Sequence, residues 1–508
     1  MNTSDRPVAV IGAGPVGLIT ALGLVAHGVP VVVFEAGADL SSETRAGTVL
    51  TRTLEVLDRY DALGPVLEAS LRLDEIGEVD RATGTSTGSV FLSALADETR
   101  FPFVVNVPQH ELEPVLAEVL HERAPGALRM RHRLTDFVQH DDGVTLRLST
   151  PDGIVGFEAA YVLGCDGGRS TVRERLGVRV EGHTLEQRYV LVDLVCDLDV
   201  GNPRDYPYLA YFGDREEWMV LVRQPHCWRF VFPLAPGRAE PSVEELRDKA
   251  RHFVGEVDSL EVLGSNVYTV HHRVASSWRD GRVFLLGDAA HLITPMWALG
   301  LNTGVLDASN LPWRLAWVLR GWAAPELLDG YEAEQKPVAV HGSGAMAEAA
   351  RAVMSRRSDS VAGWQDAMTR TLLGVRLGAD WSMTRTGPLQ VGDRAPDLRI
   401  FGLRGPVHLH ELCRDTFLAL HLTDARRRPF LPPDEPGLRQ VVVSRWDAPH
   451  SGLRARAYFD PGDSVRERFG EVVVLLRPDA HIAHVEPWTA TSWQSVQNRY
   501  LQEVRLAG

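Results

Sequence analysis

Cysteine is scarce in this chain. Only Cys165, Cys196, Cys227 and Cys413 occur in 508 residues, far apart and with no CxxC pair, which argues against a zinc site or a thiol redox centre and leaves four reduced thiols as the expectation. Basic charge is also short: 53 Lys and Arg against 67 Asp and Glu give a formal net charge of −14, so no cationic surplus is available to displace counterions from a nucleic acid. No apolar run approaches membrane-spanning length, and no repeat period is visible. The start, MNTSDRPVAVIGAG, has no charged segment followed by a long apolar stretch, so a cytoplasmic protein with neither membrane nor nucleic-acid partner is expected.

What is present is ordinary globular material, 44% hydrophobic and 24% charged, in a chain long enough for two or three domains. The first informative segment is VAVIGAGPVG, a short β-branched strand running into Gly12, Gly14 and Gly17. An amphipathic helix follows, then VPVVVFE, a second strand that ends on Glu35. This is a complete βαβ dinucleotide fingerprint. Its first glycine makes the tight turn, its second lets backbone approach a pyrophosphate, its third lets helix pack on strand, and the terminal acid stands where a ribose is bound. Two further strands end on carboxylates: YVLGCDGGRS places Asp166 after one, and RVFLLGDAAH places Asp288 after another. Singly, such an acid is more often a helix cap than a ligand.

Together and in this order, over roughly residues 6 to 390, the three segments resemble the class A flavin monooxygenases, the family of para-hydroxybenzoate hydroxylase. The resemblance implies one FAD per chain, NADPH or NADH as a transient co-substrate, and hydroxylation of an aromatic phenol, acid or polyketide by O2 through a C4a-hydroperoxide on the flavin. It implies that Gly12, Gly14, Gly17 and Glu35 serve the ADP part, that Asp166 and Asp288 act in the second and third motifs, and that Arg45 (in RAGTVLTRTLEVLDRY) and Gln109 (in VPQHELEPVLAEVL) reach the cofactor. Pro295, Gly300, Leu301 and Asn302 complete the implied set, the last three opening a helix whose N–H groups would face the flavin pyrimidine ring. In that loop the chain departs from its relatives' Pro-Pro-Phe-Gly-Gly-Gln-Gly-Leu-Asn, carrying Thr294, Pro295, Met296, Trp297, Ala298 and Leu299 before Gly300.

The implied architecture is α/β: a Rossmann-type FAD-binding domain in three parts (1–71, 106–180 and 275–390), an inserted antiparallel-sheet substrate domain in two (72–105 and 181–274), and a thioredoxin-like domain over 391–508 that lacks the redox CxxC. Pro312 inside the helix after Asn302 is expected to kink it. Tyr211, His226, Trp228 and Trp297 are the substrate-contact candidates, with Tyr208, Trp218 and Phe230 near them. No catalytic base is identified, His226, His271 and His272 being candidates by residue type alone, and no metal is expected. Partners are a small aromatic molecule and O2, with the chain a monomer or homodimer. Baeyer–Villiger-type insertion or another flavin reaction on the same fold is the alternative, and a non-catalytic FAD-binding partner protein the remote one.

Overall fold

Val8–Ile11 and Val31–Phe34 are short runs of wholly buried β-branched and aromatic residues, the pattern of strands covered on both faces. In the computed structural model they pair in parallel, Val10 opposite Val33, and the helix Pro15–Ala26 (α1) connects them. The described residues are 6–41, 47–80, 83–198, 206–213, 218–235, 237–255, 257, 259–293, 296–347, 373, 376–378, 388–423, 430–445 and 456–505. Val8–Ile11 lies inside a six-stranded sheet, between Val31–Phe34 and Val162–Gly164, with Val283–Leu285 beyond. Strands from three distant stretches of chain therefore end side by side, and each of their ends carries one of the three motifs.

The helices that build the site are Thr51–Arg59 (α2), Leu299–Leu319 (α3) and Asp329–Pro337 (α4). α3 continues through Pro312 without a break. Proline removes the N–H that would bond the carbonyl of Ala308, and the Tyr60 hydroxyl donates to that carbonyl instead, at 3.0 Å. The expected disturbance thus takes the form of a replaced hydrogen bond.

A second, eight-stranded sheet runs through Glu261–Ala275, Val180–Val195, Trp228–Leu234, Met219–Arg223 and Leu209–Gly213, and is extended by Glu75–Asp80 and Ser86–Phe91. The two stretches read as one substrate unit do share this sheet, but the junction between them is parallel, Ala210 opposite Gly77, where antiparallel pairing was expected. The long connection between those strands has room for the crossover that parallel pairing needs. A seven-stranded mixed sheet gathers residues 399–487, its Val472–Leu476 and Ile482–Pro487 forming an antiparallel pair. The whole is a mixed α/β protein. Among the described residues no helix is long and apolar enough to cross a membrane, and no cluster of His, Cys, Asp and Glu could hold a metal ion.

Candidate active site

The three motifs meet at the C-terminal ends of the parallel strands. Gly12 has φ +103°, and a Cβ there would lie 2.5 Å from the Cys165 carbonyl oxygen, so only glycine lets the first motif pack against the second. Gly17 sits still closer, 2.1 Å from the Gly12 oxygen by the same measure. Val16 wedges between Gly287 and Gly304, where added Cβ atoms would meet its side chain at 3.1 and 2.7 Å. That contact brings α1, the third motif and α3 together.

Gly14 behaves differently. Its φ is an ordinary −67° and a Cβ would meet nothing within 4 Å. Gly300 is similar, with only the Ile293 carbonyl oxygen at 3.9 Å. Both residues stand at the beginning of long helices, α1 and α3, that have no side-chain cap and no acidic residue in the first turn. Two uncapped, positively polarised helix ends therefore face open space beside the strand ends, the arrangement that a diphosphate and an electron-rich ring edge fit. The residues present fit FAD.

Glu35 turns both carboxylate oxygens to backbone, accepting from Ala13 N–H at 2.9 Å and Gly37 N–H at 2.7 Å; each oxygen retains a lone pair for a ribose hydroxyl. Asp166 accepts from the Ser170 hydroxyl and from Val172 N–H, bracing the helix Thr171–Arg175 whose N-cap is Ser170. Burial pushes its carboxyl above the usual range, against those hydrogen bonds. Asp288 is exposed on the single turn Gly287–Ala289. Gln109 opens the helix Gln109–Arg123 and donates to Glu113 at 2.6 Å. Leu301 lies in the first turn of α3, and Asn302 beside it commits its amide to the protein, accepting from Leu50 N–H and the Thr53 hydroxyl and donating to the carbonyls of Thr48 and Ala298. Arg45 and Pro295 lie outside the described residues.

Among the substrate candidates the structure unites two and parts the others. Tyr211 and Trp297 belong to one buried cluster with Tyr189, Trp218 and Leu299. Trp228 and Phe230 pack in another cluster, with Phe212 and Phe232; alternation along the strands puts them on the far face of the sheet. His226 is exposed in the turn between Met219–Arg223 and Trp228–Leu234. Tyr208 edges against Trp228, ring centres 5.8 Å apart. His271 bonds the Thr184 hydroxyl at 2.9 Å and His272 tilts against His183, so neither histidine joins the Tyr211 cluster. A cleft of about 560 Å³ between α4 and the strand Glu261–Ala275 is lined by His272, Lys336 and His341 and by none of the cofactor or substrate candidates.

Trp297 and Ala298 both occupy left-handed backbone, φ +59° and +56°. By the resemblance drawn from the sequence, these are the positions where the family motif has Gly-Gly. The loop holds both residues in the backbone region that favours glycine, with an indole that is 6% exposed.

Several residues that matter here went unread in the sequence. Arg229 and Asp193 form a buried pair at 2.9 Å on the same sheet face as Tyr211, and Arg229 with Gln224 presses on Gly47, where a Cβ would meet them at 3.0 and 2.7 Å. Arg173 ties the second motif to the third, donating to the carbonyls of Gly168 and Ala289. Asp307 is fully buried and accepts from Gly287 N–H at 2.9 Å and His291 at 2.8 Å, fixing the third motif on α3. An acid within an apolar helix was the available signal for it.

A glycine turn, an acid at the end of the next strand and two bare helix ends beside a largely parallel sheet are the arrangement of a dinucleotide-binding enzyme. The chain belongs to the family described as FAD binding domain, whose model matches residues 5–342, and is a class A FAD-dependent monooxygenase. It is 30% identical to the 12-dehydrotetracycline 5-monooxygenase/anhydrotetracycline 6-monooxygenase of Streptomyces rimosus, over 95% of each chain. It is 31% identical to the aklavinone 12-hydroxylase of Streptomyces purpurascens, over 95% of this chain and 96% of that one. Among solved structures, aklavinone-11 hydroxylase in a ternary complex with FAD and aklavinone superposes with a TM-score of 0.81 at 27% identity, covering 99% of this chain and 100% of that one.

Proposed function

We propose that this monooxygenase hydroxylates a fused-ring aromatic substrate of the polyketide type, with NADPH or NADH as reductant, in the cytoplasm. The observation that carries the reading is the buried face of Tyr189, Tyr211, Trp218, Trp297 and Leu299, set where the start of α3 meets the second sheet. Relatives named for tetracycline and aklavinone chemistry match over nearly the whole chain, which supports a large planar substrate.

FAD supplies the electron transfer from the nicotinamide and the activation of O2. The chain would hold it with Gly12, Gly14, Gly17 and Glu35 at the ADP end, Gln109, Asp166 and Asp288 along its length, and the N–H groups of Gly300, Leu301 and Asn302 at the flavin ring. Arg45 and Pro295 belong to the same assignment. Trp297 and Leu299 close the site against water, whose exclusion keeps activated oxygen for the substrate. Burial pushes the Tyr211 hydroxyl far above its ordinary range, so on that face it stays protonated and can donate to a substrate oxygen. The sheet spanning 72–105 and 181–274 is read as an inserted substrate domain, and the sheet of 391–508 as a thioredoxin-like domain with no redox role.

The test is a screen of polycyclic phenols for stimulated NAD(P)H oxidation, run under ¹⁸O2 with peroxide measured in parallel. One labelled oxygen on a ring carbon is the expected result. Stimulated turnover that yields only peroxide, or a labelled lactone in place of a phenol, would reject aromatic hydroxylation.

A further inference from the structure

The turn that joins Val472–Leu476 to Ile482–Pro487 reaches deep into the FAD-binding unit. Asp479 is fully buried there: its carboxylate takes hydrogen bonds from Arg477 and from Trp313 of α3, and its backbone carbonyl takes one from Arg52 of α2 at 2.7 Å. Arg477 also grips Glu334 of α4 at 2.6 and 2.9 Å, and Arg314 of α3 meets the same carboxylate at 2.8 Å. A second arm comes from Arg394, which forks onto Glu55 of α2 with one arm at 2.8 Å, while Arg52 and the Thr99 hydroxyl hold Glu55 from other sides. The side chains of Glu55 and Arg394 are 1% and 5% exposed.

Stability alone does not call for this network, because well-packed apolar side chains of similar volume hold an interface at least as firmly as buried ion pairs. What forked, directional bonds add is register. The opposite side of α2 carries Thr53, whose hydroxyl donates to Asn302 at 2.7 Å, and Asn302 in turn bonds Ala298 at the start of α3. Cys413, buried and without a partner cysteine, leaves the C-terminal unit no thiol chemistry.

We propose that the C-terminal unit is a positioning part of the flavin site: Arg394, acting through Glu55 and α2, fixes Asn302 and with it the N–H groups that open α3. The proposal rests on the assignment of those N–H groups to the flavin ring.

The experiment compares purified full-length Arg394→Lys, Arg394→Met and the triple variant Arg52→Met, Glu55→Met, Arg394→Met with wild type, measuring FAD affinity and the midpoint potential of the bound flavin. Arg394→Met is expected to bind FAD about tenfold more weakly and to hold it at a potential about 30 mV more negative, the two-electron equivalent of the reduced ring losing a further tenfold in affinity beyond the oxidised one. Arg394→Lys should restore most of both. The triple variant, which buries no stranded charge, should regain folding stability and keep the displaced potential. Wild-type affinity and potential in a folded Arg394→Met or triple variant would overturn the proposal, as would failure of both to fold, since a purely structural clamp predicts that. A wild-type protein that takes up no FAD would instead defeat the functional reading itself.

Discussion

Three glycines of one motif have three different surroundings, and Gly14 is the one whose Cβ position faces open space. A side chain at Gly17 would collide with backbone 2.1 Å away and damage the fold itself. At Gly14 the backbone is ordinary and a Cβ meets open space, so Gly14→Val should cost the apoprotein only about 1 kcal/mol, for the loss of a glycine N-cap, while abolishing FAD uptake by filling the approach to the diphosphate. Flavin titration beside a thermal melt checks both halves. Retained FAD in a stable Gly14→Val protein would remove that loop from the cofactor site. This residue was legible from sequence because the constraint is local: a glycine turn between strand and helix has few uses. Glu55 and Arg394 were not legible, since their partnership spans 339 positions and no local pattern announces it.

At the start of α3 two effects oppose each other. Left-handed backbone costs a residue with a Cβ about 1 to 2 kcal/mol, and Trp297 and Ala298 both adopt it. Against this, truncating a buried aromatic costs about 3 to 5 kcal/mol, and Trp297 is buried against its cluster, though less completely than Tyr189 or Trp218. Trp297→Gly should therefore lose about 2 kcal/mol net, the cavity outweighing the relieved strain, and raise the ratio of hydrogen peroxide to product in whatever flavin it retains. Ala298→Gly removes strain without removing packing and should gain about 0.5 to 1 kcal/mol. Denaturant midpoints of the two variants shifting in the same direction would contradict this division. Sequence reading noticed the missing glycines. It did not reveal the left-handed backbone at Trp297 and Ala298, because the cluster around the indole is built from residues distant in the chain. Pro312 is a parallel case: its lost hydrogen bond is replaced by one from Tyr60, at the C-cap of α2.

Across the whole molecule, buried histidines set a pH dependence. Burial lowers His27 to about 3, and lowers His410 and His421 each to about 4. All three bind a proton in the unfolded chain near pH 6.5 but resist it when folded, so the stability they contribute is present above that pH and is lost as pH falls toward 4. Each steepens the loss by up to about 1.4 kcal/mol per pH unit within that window. Glu334 adds a further step below: burial raises its carboxyl, but Arg314 and Arg477 overcome this and hold it at about 2, so its share fades only below pH 4.5. Urea midpoints measured at pH 7, 6 and 5 should fall steadily, and a midpoint that rises on acidification would reverse the sign assigned to these groups.

The pairing of Glu55 with Arg394 also bears on how the protein is made. Glu55 leaves the ribosome 339 residues ahead of Arg394, so through most of synthesis α2 carries a carboxylate whose main counter-charge does not yet exist. A nascent or prematurely terminated chain can form its glycine fingerprint and the local Arg52–Glu55 pair, and still lack the forked contact that joins α2 to the C-terminal unit. The contacts that seat α2 in the finished protein are therefore completed only after the C-terminal unit has been made.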